Sequence, residues 1–359
     1  MGLDRNNMMR NRIFILLCIF FSIYTWASAI KNYRVQNISW SQLRCDTALN
    51  IKNIQDMKLM GNNELYVTYE IPNSYGDQLV NSLSVDLSKR NLSFKKEFFK
   101  RKNGTHVFSV PIIFWDHKGF MFAYERDNPY LYAVSGDTLK RNGQSIISSK
   151  SICPYRLVIE AKYPFVDSLG QYIFVGRQEK YGFQAILRST PSIDGVRKIE
   201  EVSKIIFDSR YPSWLANYGS LVYNPQKNVA AFAYQLFPAV QFYNLTDGSS
   251  FKFRKGRNTF NPKTLKEGDI WESNPIHFKA ITANDKYIYC LYWGITEQQA
   301  KNNQRRHSFA GQIVVLRWDG SVYKILTTRR KITSIAVSES GDYIIGYDEG
   351  RFFISTIQS

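Results

Sequence analysis

The stretch Ile313–Leu326, IVVLRWDGSVYKIL, decides the fold. Two short apolar runs flank Trp318-Asp319-Gly320. An Asp-Gly pair between strand-like runs is a hairpin signal, because Asp and Gly tolerate the positive backbone angles of a tight turn. Working outward, the same layout returns in VQFYNLTDGSSFKFRK (Val240–Lys255). It returns with a longer bend in FQAILRSTPSIDGVRKI (Phe183–Ile199) and with Ser-Lys-Arg-Asn at the bend in NSLSVDLSKRNLSFKKEF (Asn81–Phe98). LYAVSGDTLKRNGQSI (Leu131–Ile146) fits too, with Gly136-Asp137 and Asn142-Gly143 as alternative turns.

These hairpins recur every 50 residues or so. Between them lie further runs of about five to eight residues rich in Val, Ile, Tyr and Phe, such as LYVTYE (Leu65–Glu70), QYIFVGRQ (Gln171–Gln178) and NVAAFAYQLF (Asn228–Phe237). Repeated hairpins at that spacing predict an all-β, six-bladed propeller, each blade a four-stranded sheet. A β-sandwich or two stacked β domains is the alternative; it explains strands but not a recurrent hairpin. The last blade, GDYIIGYDEGRFFIST (Gly341–Thr356), is expected to be completed by an early strand such as YRVQNI (Tyr33–Ile38). TEQQAKNNQRR (Thr296–Arg306) reads as a short polar helix or an exposed contact loop. The Trp318-Asp319 pair does not make this a WD-repeat chain, since no Gly-His partner accompanies it and the pair sits at the bend.

Residues 1–29 are read separately. Arg10 and Arg12 precede the apolar run Ile13–Tyr24, and Ala27-Ser28-Ala29 follows, the order of a secretory signal cleaved after Ala29. The apolar run is too short to predict a membrane span, and Leu16-Leu17 before Cys18 is not a lipoprotein signal. Residues 30–359 are then one exported domain. Cys45, Cys153 and Cys290 remain in it, an odd number far apart, so one disulfide of unassigned pairing is allowed and a disulfide-built fold is not. Cys290, within KYIYCLYW, reads as a buried strand residue.

Three stretches resemble a known family. PAVQFYNLTDG, KYIYCLYWGIT (Lys286–Thr296) and GQIVVLRWDGSVYKIL are similar to the TolB-like six-bladed propellers of Bacteroidota, most clearly from Leu221 to Ser359. Tyr289, Leu291, Tyr292 and Gly294 keep one motif, and Trp318, Asp319 and Gly320 keep another. Arg317 stands where an acidic residue is common, and Gln235 follows Tyr234 where members often carry arginine. The resemblance implies an exported propeller of the cell envelope with no assigned activity.

The chemistry is harder to read. Four histidines without H-E-x-x-H spacing and no Cys-x-x-Cys argue against zinc, and no G-x-S-x-G elbow is present. No cofactor is identified. A calcium site assembled from distant loops, with Asp127, Asp208 or Asp348, would leave no sequence signature. Glu125 with Asp127 and Asp348 with Glu349 are the carboxylate pairs a glycoside hydrolase or lyase would need. Adjacent Asp348 and Glu349 are expected to point to opposite faces of a strand as solvated turn residues. An enzyme is thus the second reading.

The net charge of +17 is the strongest functional hint. Lys95, Lys96, Lys100, Arg101 and Lys102 form one basic cluster, Lys252, Arg254, Lys255 and Arg257 a second, and Arg329, Arg330 and Lys331 a third. Each follows a hairpin turn on the way out of the second strand, so several are expected on one face. With Phe98, Phe99, Phe253 and Phe260 nearby, that face would bind an anionic polysaccharide, a lipid headgroup or an envelope protein, and would touch membranes peripherally at most. Nucleic acid is not expected, as no recognition motif is present. The bland alternative is a solvated rim that keeps the protein soluble.

Overall fold

The computed structural model describes residues 33–45, 54–61, 63–69, 78–100, 102–103, 106–107, 111–115, 121–125, 128–134, 149–151, 159–167, 169–177, 182–190 and 198–357. The expected signal segment, Arg101, Asp127, Cys153 and the bends near 137 and 194 lie outside these residues. The chain divides after Arg34, and Val35–Ser359 forms one compact unit.

Its strands make six antiparallel sheets of four or five strands and a two-stranded ribbon. Sheet 1 holds Ile54–Met60, Glu64–Tyr69, Gln78–Asp86 and Asn91–Lys100, with Arg44–Cys45 added in parallel. Sheet 2 runs from Pro111–Trp115 to Ser149–Ser151, and sheet 3 from Ile159–Val166 to Lys198–Ile205. Sheet 4 holds Gly219–Asn224, Val229–Tyr234, Ala239–Asn244 and Ser250–Arg254. Sheet 5 holds Ile276–Ala283, Tyr287–Ile295, Gly311–Arg317 and Val322–Thr328; sheet 6 holds Ser334–Val337, Tyr343–Asp348 and Arg351–Thr356. The early segment divides its strands: Arg34–Asn37 lies outside Val322–Thr328 in sheet 5, whereas Ser41–Gln42 completes sheet 6 beside Arg351–Thr356. YRVQNI is therefore not the strand that completes the last sheet.

The sheets pack face to face. Side chains alternate along a strand, so the strand Tyr287–Ile295 sends Tyr289, Leu291 and Trp293 into a core shared with sheet 6, and Ile288 and Cys290 into one shared with sheet 4. Both faces are covered, which is why KYIYCLYW is continuously apolar instead of alternating with polar residues. Ile173, Val175 and Ile186 of sheet 3 meet Leu221 and Phe232 of sheet 4, and Ala336, Ile345 and Phe352 of sheet 6 meet Met57, Leu65 and Leu83 of sheet 1. Cys290 is fully buried, and burial pushes its thiol well up.

The hairpin bends differ from the simplest reading. Gly320 and Gly248 have φ of 76° and 72°, but Asp319 and Asp247 are not in the left-handed region. The bends are longer than two residues, five between Asn244 and Ser250 and four between Arg317 and Val322: the Gly248 N–H donates to Asn244 O and the Asn244 N–H to Ser249 O, and the Gly320 N–H donates to Arg317 O and the Arg317 N–H to Ser321 O, all at 2.9 Å. At Gly320 a Cβ would lie 2.4 Å from the Phe251 ring, a second reason for glycine. The polar stretch after sheet 5's second strand is a helix, Glu297–Arg305, started by a capping box between Thr296 and Gln299. Two one-turn helices, Thr264–Glu267 and Ile270–Ser273, have no counterpart in the sequence reading.

Candidate ligand-binding site

Neighbouring sheets are tied at both ends, and the ties define the ends. At the turn end, Asn224 Nδ2 donates to Asp285 O at 3.1 Å and the Gly61 N–H to Glu339 Oε1 at 2.8 Å. At the opposite, link end, where each sheet passes to the next, the His277 N–H donates to Gln235 O at 2.7 Å and Trp293 Nε1 to Ile332 O at 3.0 Å. The Lys331 N–H there donates to Gln304 Oε1 of the helix at 2.6 Å.

Two of the basic clusters leave their sheets at the link end. Arg254 pairs in register with Ala239, and Thr328 with Gly311, the starts of the preceding strands. Lys252 Nζ and Arg254 Cζ lie 5.2 and 5.4 Å from the Phe207 ring centre, Lys255 Nζ lies 5.2 Å from that of Tyr292, and Arg330 Cζ lies 4.1 Å from that of Phe353. Burial lowers the pKa of Lys252 and Lys255, with Arg254 adding to the effect at Lys252. Arg257 and Arg329 are exposed. The aromatic partners are not those the sequence suggested: Phe253 and Phe260 pack into the core, whereas Phe207, Tyr292 and Phe353 carry the cations.

The remaining basic residues divide. Lys331 is buried, its Nζ 3.2 Å from Asp348 Oδ1 and 2.7 Å from Glu349 Oε1, so it is a structural ion pair and not part of a basic surface. Asp348 and Glu349 therefore converge on one cation, because Glu349 sits at the bend with φ of 46°. Lys95 lies along its strand, bonded to Glu64 Oε2 at 2.7 Å. Lys96 and Lys100 are in the same strand, Asn91–Lys100, and Lys102 is in the two-stranded ribbon. Asp208, a calcium candidate, is held to about 2 by hydrogen bonds from Arg210. Among the described residues no three acidic, histidine or cysteine side chains group to hold a metal.

What the sequence reading missed is a cavity of about 810 Å³ lined by the first strands of sheets 1, 3, 4, 5 and 6. Asp56 and Lys58 line it while Met57 and Leu59, between and after them, enter the core. Burial raises the Asp56 pKa against the pull of Lys58, and burial lowers that of Lys58 against the pull of Asp56. Lys279 lines it too, lowered by burial, with its Nζ 5.4 Å from the Trp293 ring centre. So does Gln235. The available signal was the alternation in IQDMKLM (Ile54–Met60), charged residues within an otherwise core-forming strand.

Comparisons with known proteins bear on the fold. The model of the TolB-like 6-blade propeller-like family matches residues 215–340, so the resemblance read from the Trp318 hairpin holds over that segment. The structure is similar to that of a DUF4221 family member from Bacteroides vulgatus, with a TM-score of 0.54, 11% identity, and coverage of 90% of this chain and 98% of that one. A protein from Bacteroides fragilis described as exported gives a TM-score of 0.54 at 8% identity, with coverage of 91% and 99%. The extracellular domain assigned to a hybrid two-component system of B. thetaiotaomicron gives 0.47 at 12% identity, covering 86% of this chain; the chain spans about a third of that one, 34%. No curated protein matches the chain. The likeness shows an all-β, propeller-like fold, and no helix among the described residues is long and apolar enough to cross a membrane.

Proposed function

From a chain whose residues 215–340 match a TolB-like propeller family, we propose an exported six-bladed propeller that acts by binding, without catalysis, holding an anionic glycan or headgroup on its link end. The six sheets are its blades, and the packing of sheet 6 on sheet 1 closes the ring. Export is supported by the signal-like order of residues 1–29 and by the description of the B. fragilis neighbour.

The observation that carries the binding reading is the seating of Lys252, Arg254, Lys255 and Arg330 on ring faces at the strand ends. A cation fixed over a ring loses less side-chain freedom when a polyanion arrives, and exposed arginines beside it add long-range attraction. The enzyme reading needs two carboxylates free to act on a glycosidic bond. Asp348 and Glu349, one of the two pairs read from the sequence, are both bound to Lys331.

The test is retention of residues 30–359 on immobilised sulfated and uronic-acid glycans beside neutral ones at rising salt. Retention on the acidic matrices that fades with salt, and is lost when Lys252, Arg254, Lys255 and Arg257 become Ala, is the expected result. Equal behaviour on acidic and neutral matrices overturns the reading.

A further inference from the structure

The link-end reading leaves unused the cavity between the first strands. Its volume of about 810 Å³ is in the range of small-molecule sites. Its lining is polar where a packed core would be apolar: Asp56, Lys58 and Lys279, the hydroxyls of Tyr163 and Ser220, and the Gln235 amide. Asp285 and Glu339 lie at the turn end, where Glu339 accepts the Gly61 N–H; Lys58 stands three residues before Gly61 with Asp56 on its link side, and Lys279 is near the middle of its strand.

Tyr163 gives a second, independent sign. It is a non-glycine residue at φ 54° within the strand Ile159–Val166, whose register shifts on either side of Lys162. A tyrosine in the left-handed region is strained, and such strain concentrates where a site needs a particular side-chain placement. Here it brings the Tyr163 hydroxyl within 3.1 Å of Ser220 Oγ on the neighbouring sheet, with its ring at the cavity wall. Two residues on, the Phe165 ring lines the same wall and lies 5.6 Å from Lys58 Nζ. Aromatic faces beside a lysine, with hydroxyl and amide groups around them, match a ring of C–H faces and hydroxyls carrying one carboxylate.

Resting on the glycan-binding reading above, we infer that the cavity between the first strands receives the terminal unit of an acidic saccharide, its sugar face on Tyr163 and Phe165 and its carboxylate on Lys58. Titration calorimetry of the intact protein with D-galacturonate and D-glucuronate, beside D-galactose and D-glucose, tests this. The acids should bind at least tenfold more tightly than the neutral sugars. Lys58→Met should weaken the acids at least tenfold, and Tyr163→Phe, a gentle change that keeps the ring, a few-fold. Thermal unfolding of both variants checks that they fold. No binding of either acid, equal binding of acid and neutral sugars, or acid binding unchanged in a folded Lys58→Met protein each overturns the inference. Its failure is separable from that of the link-end reading: the Lys252, Arg254, Lys255, Arg257 variant should lose polymer retention and keep monosaccharide binding within twofold, and Lys58→Met should do the reverse.

Discussion

Two lysine environments in this protein, one buried and one half-buried, have opposite character. At the corner of sheet 6, Lys331 has two carboxylates within 3.2 Å, and although burial works against its charge, those partners raise its pKa. On the cavity wall, Lys279 has the Trp293 ring as its close partner and Glu297 only as a more distant charge, and burial wins, lowering its pKa. The same side chain is a fastener in one place and an under-compensated charge in the other. A buried charge with its counter-charges in place is strongly missed when one partner goes, whereas one that is poorly paired already costs stability and is kept for another reason.

The largest expected effect breaks the satisfied pair. Lys331→Ala leaves Asp348 buried without its cation and should destabilise by about 3–5 kcal/mol in urea unfolding; a loss below about 1 kcal/mol would place Lys331 with the surface lysines.

Next comes a buried base on the unsatisfied side. His277 is 3% exposed, and burial holds its pKa down at about 4. The unfolded chain takes up its proton near pH 6.5 and the folded one does not, so stability is full above that pH and falls as the pH drops towards 4. The loss is on the order of 3 kcal/mol. His277→Phe should flatten this part of the stability-against-pH curve; an identical slope in the variant assigns it to other groups.

Lys279→Met sharpens the contrast from the other side. Removing a charge that burial disfavours should leave stability unchanged or raise it by about 1 kcal/mol, measured as the urea midpoint. A drop comparable to that of Lys331→Ala would make the two lysines alike. The smallest effect belongs to Glu349→Gln. The carboxylate touches Lys331 but is 61% exposed, so solvent screens it and the expected cost is under about 1 kcal/mol at neutral pH. Its pKa is lowered by Lys331, so the cost should vanish as the pH falls through the carboxylate range.

Much of the fold was legible because it is local. Asp247-Gly248 and Asp319-Gly320 announce turns by themselves, and a run such as KYIYCLYW has no polar face to show to water, so it belongs between two sheets. The capping box of the helix Glu297–Arg305 was also present in Thr296 and Gln299, yet a nine-residue helix whose one apolar residue is Ala300 shows too little apolar periodicity to be separated from a loop. The basic clusters were legible as charge and their link-end position followed from counting strands, but their aromatic partners were not. Phe253 was the neighbour in sequence, and its alternation sends it inward, while Phe207 comes from the link that follows the strand Lys198–Ile205 of sheet 3.

The sequence by itself determined strand content, hairpin rhythm and a strong positive charge, since each depends on residue type and on spacing within one hairpin. Tertiary structure alone decided which cations are paired with carboxylates and where the cavity lies. Lys331 and Lys58 look alike in sequence. One is paired through a bend that turns Asp348 and Glu349 onto it; the other feels the charge of Asp56 in its own strand and lies on a wall whose remaining sides come from residues about 100 to more than 270 positions away. Burial and counter-charge are set by such distant neighbours, and no short stretch of sequence contains them.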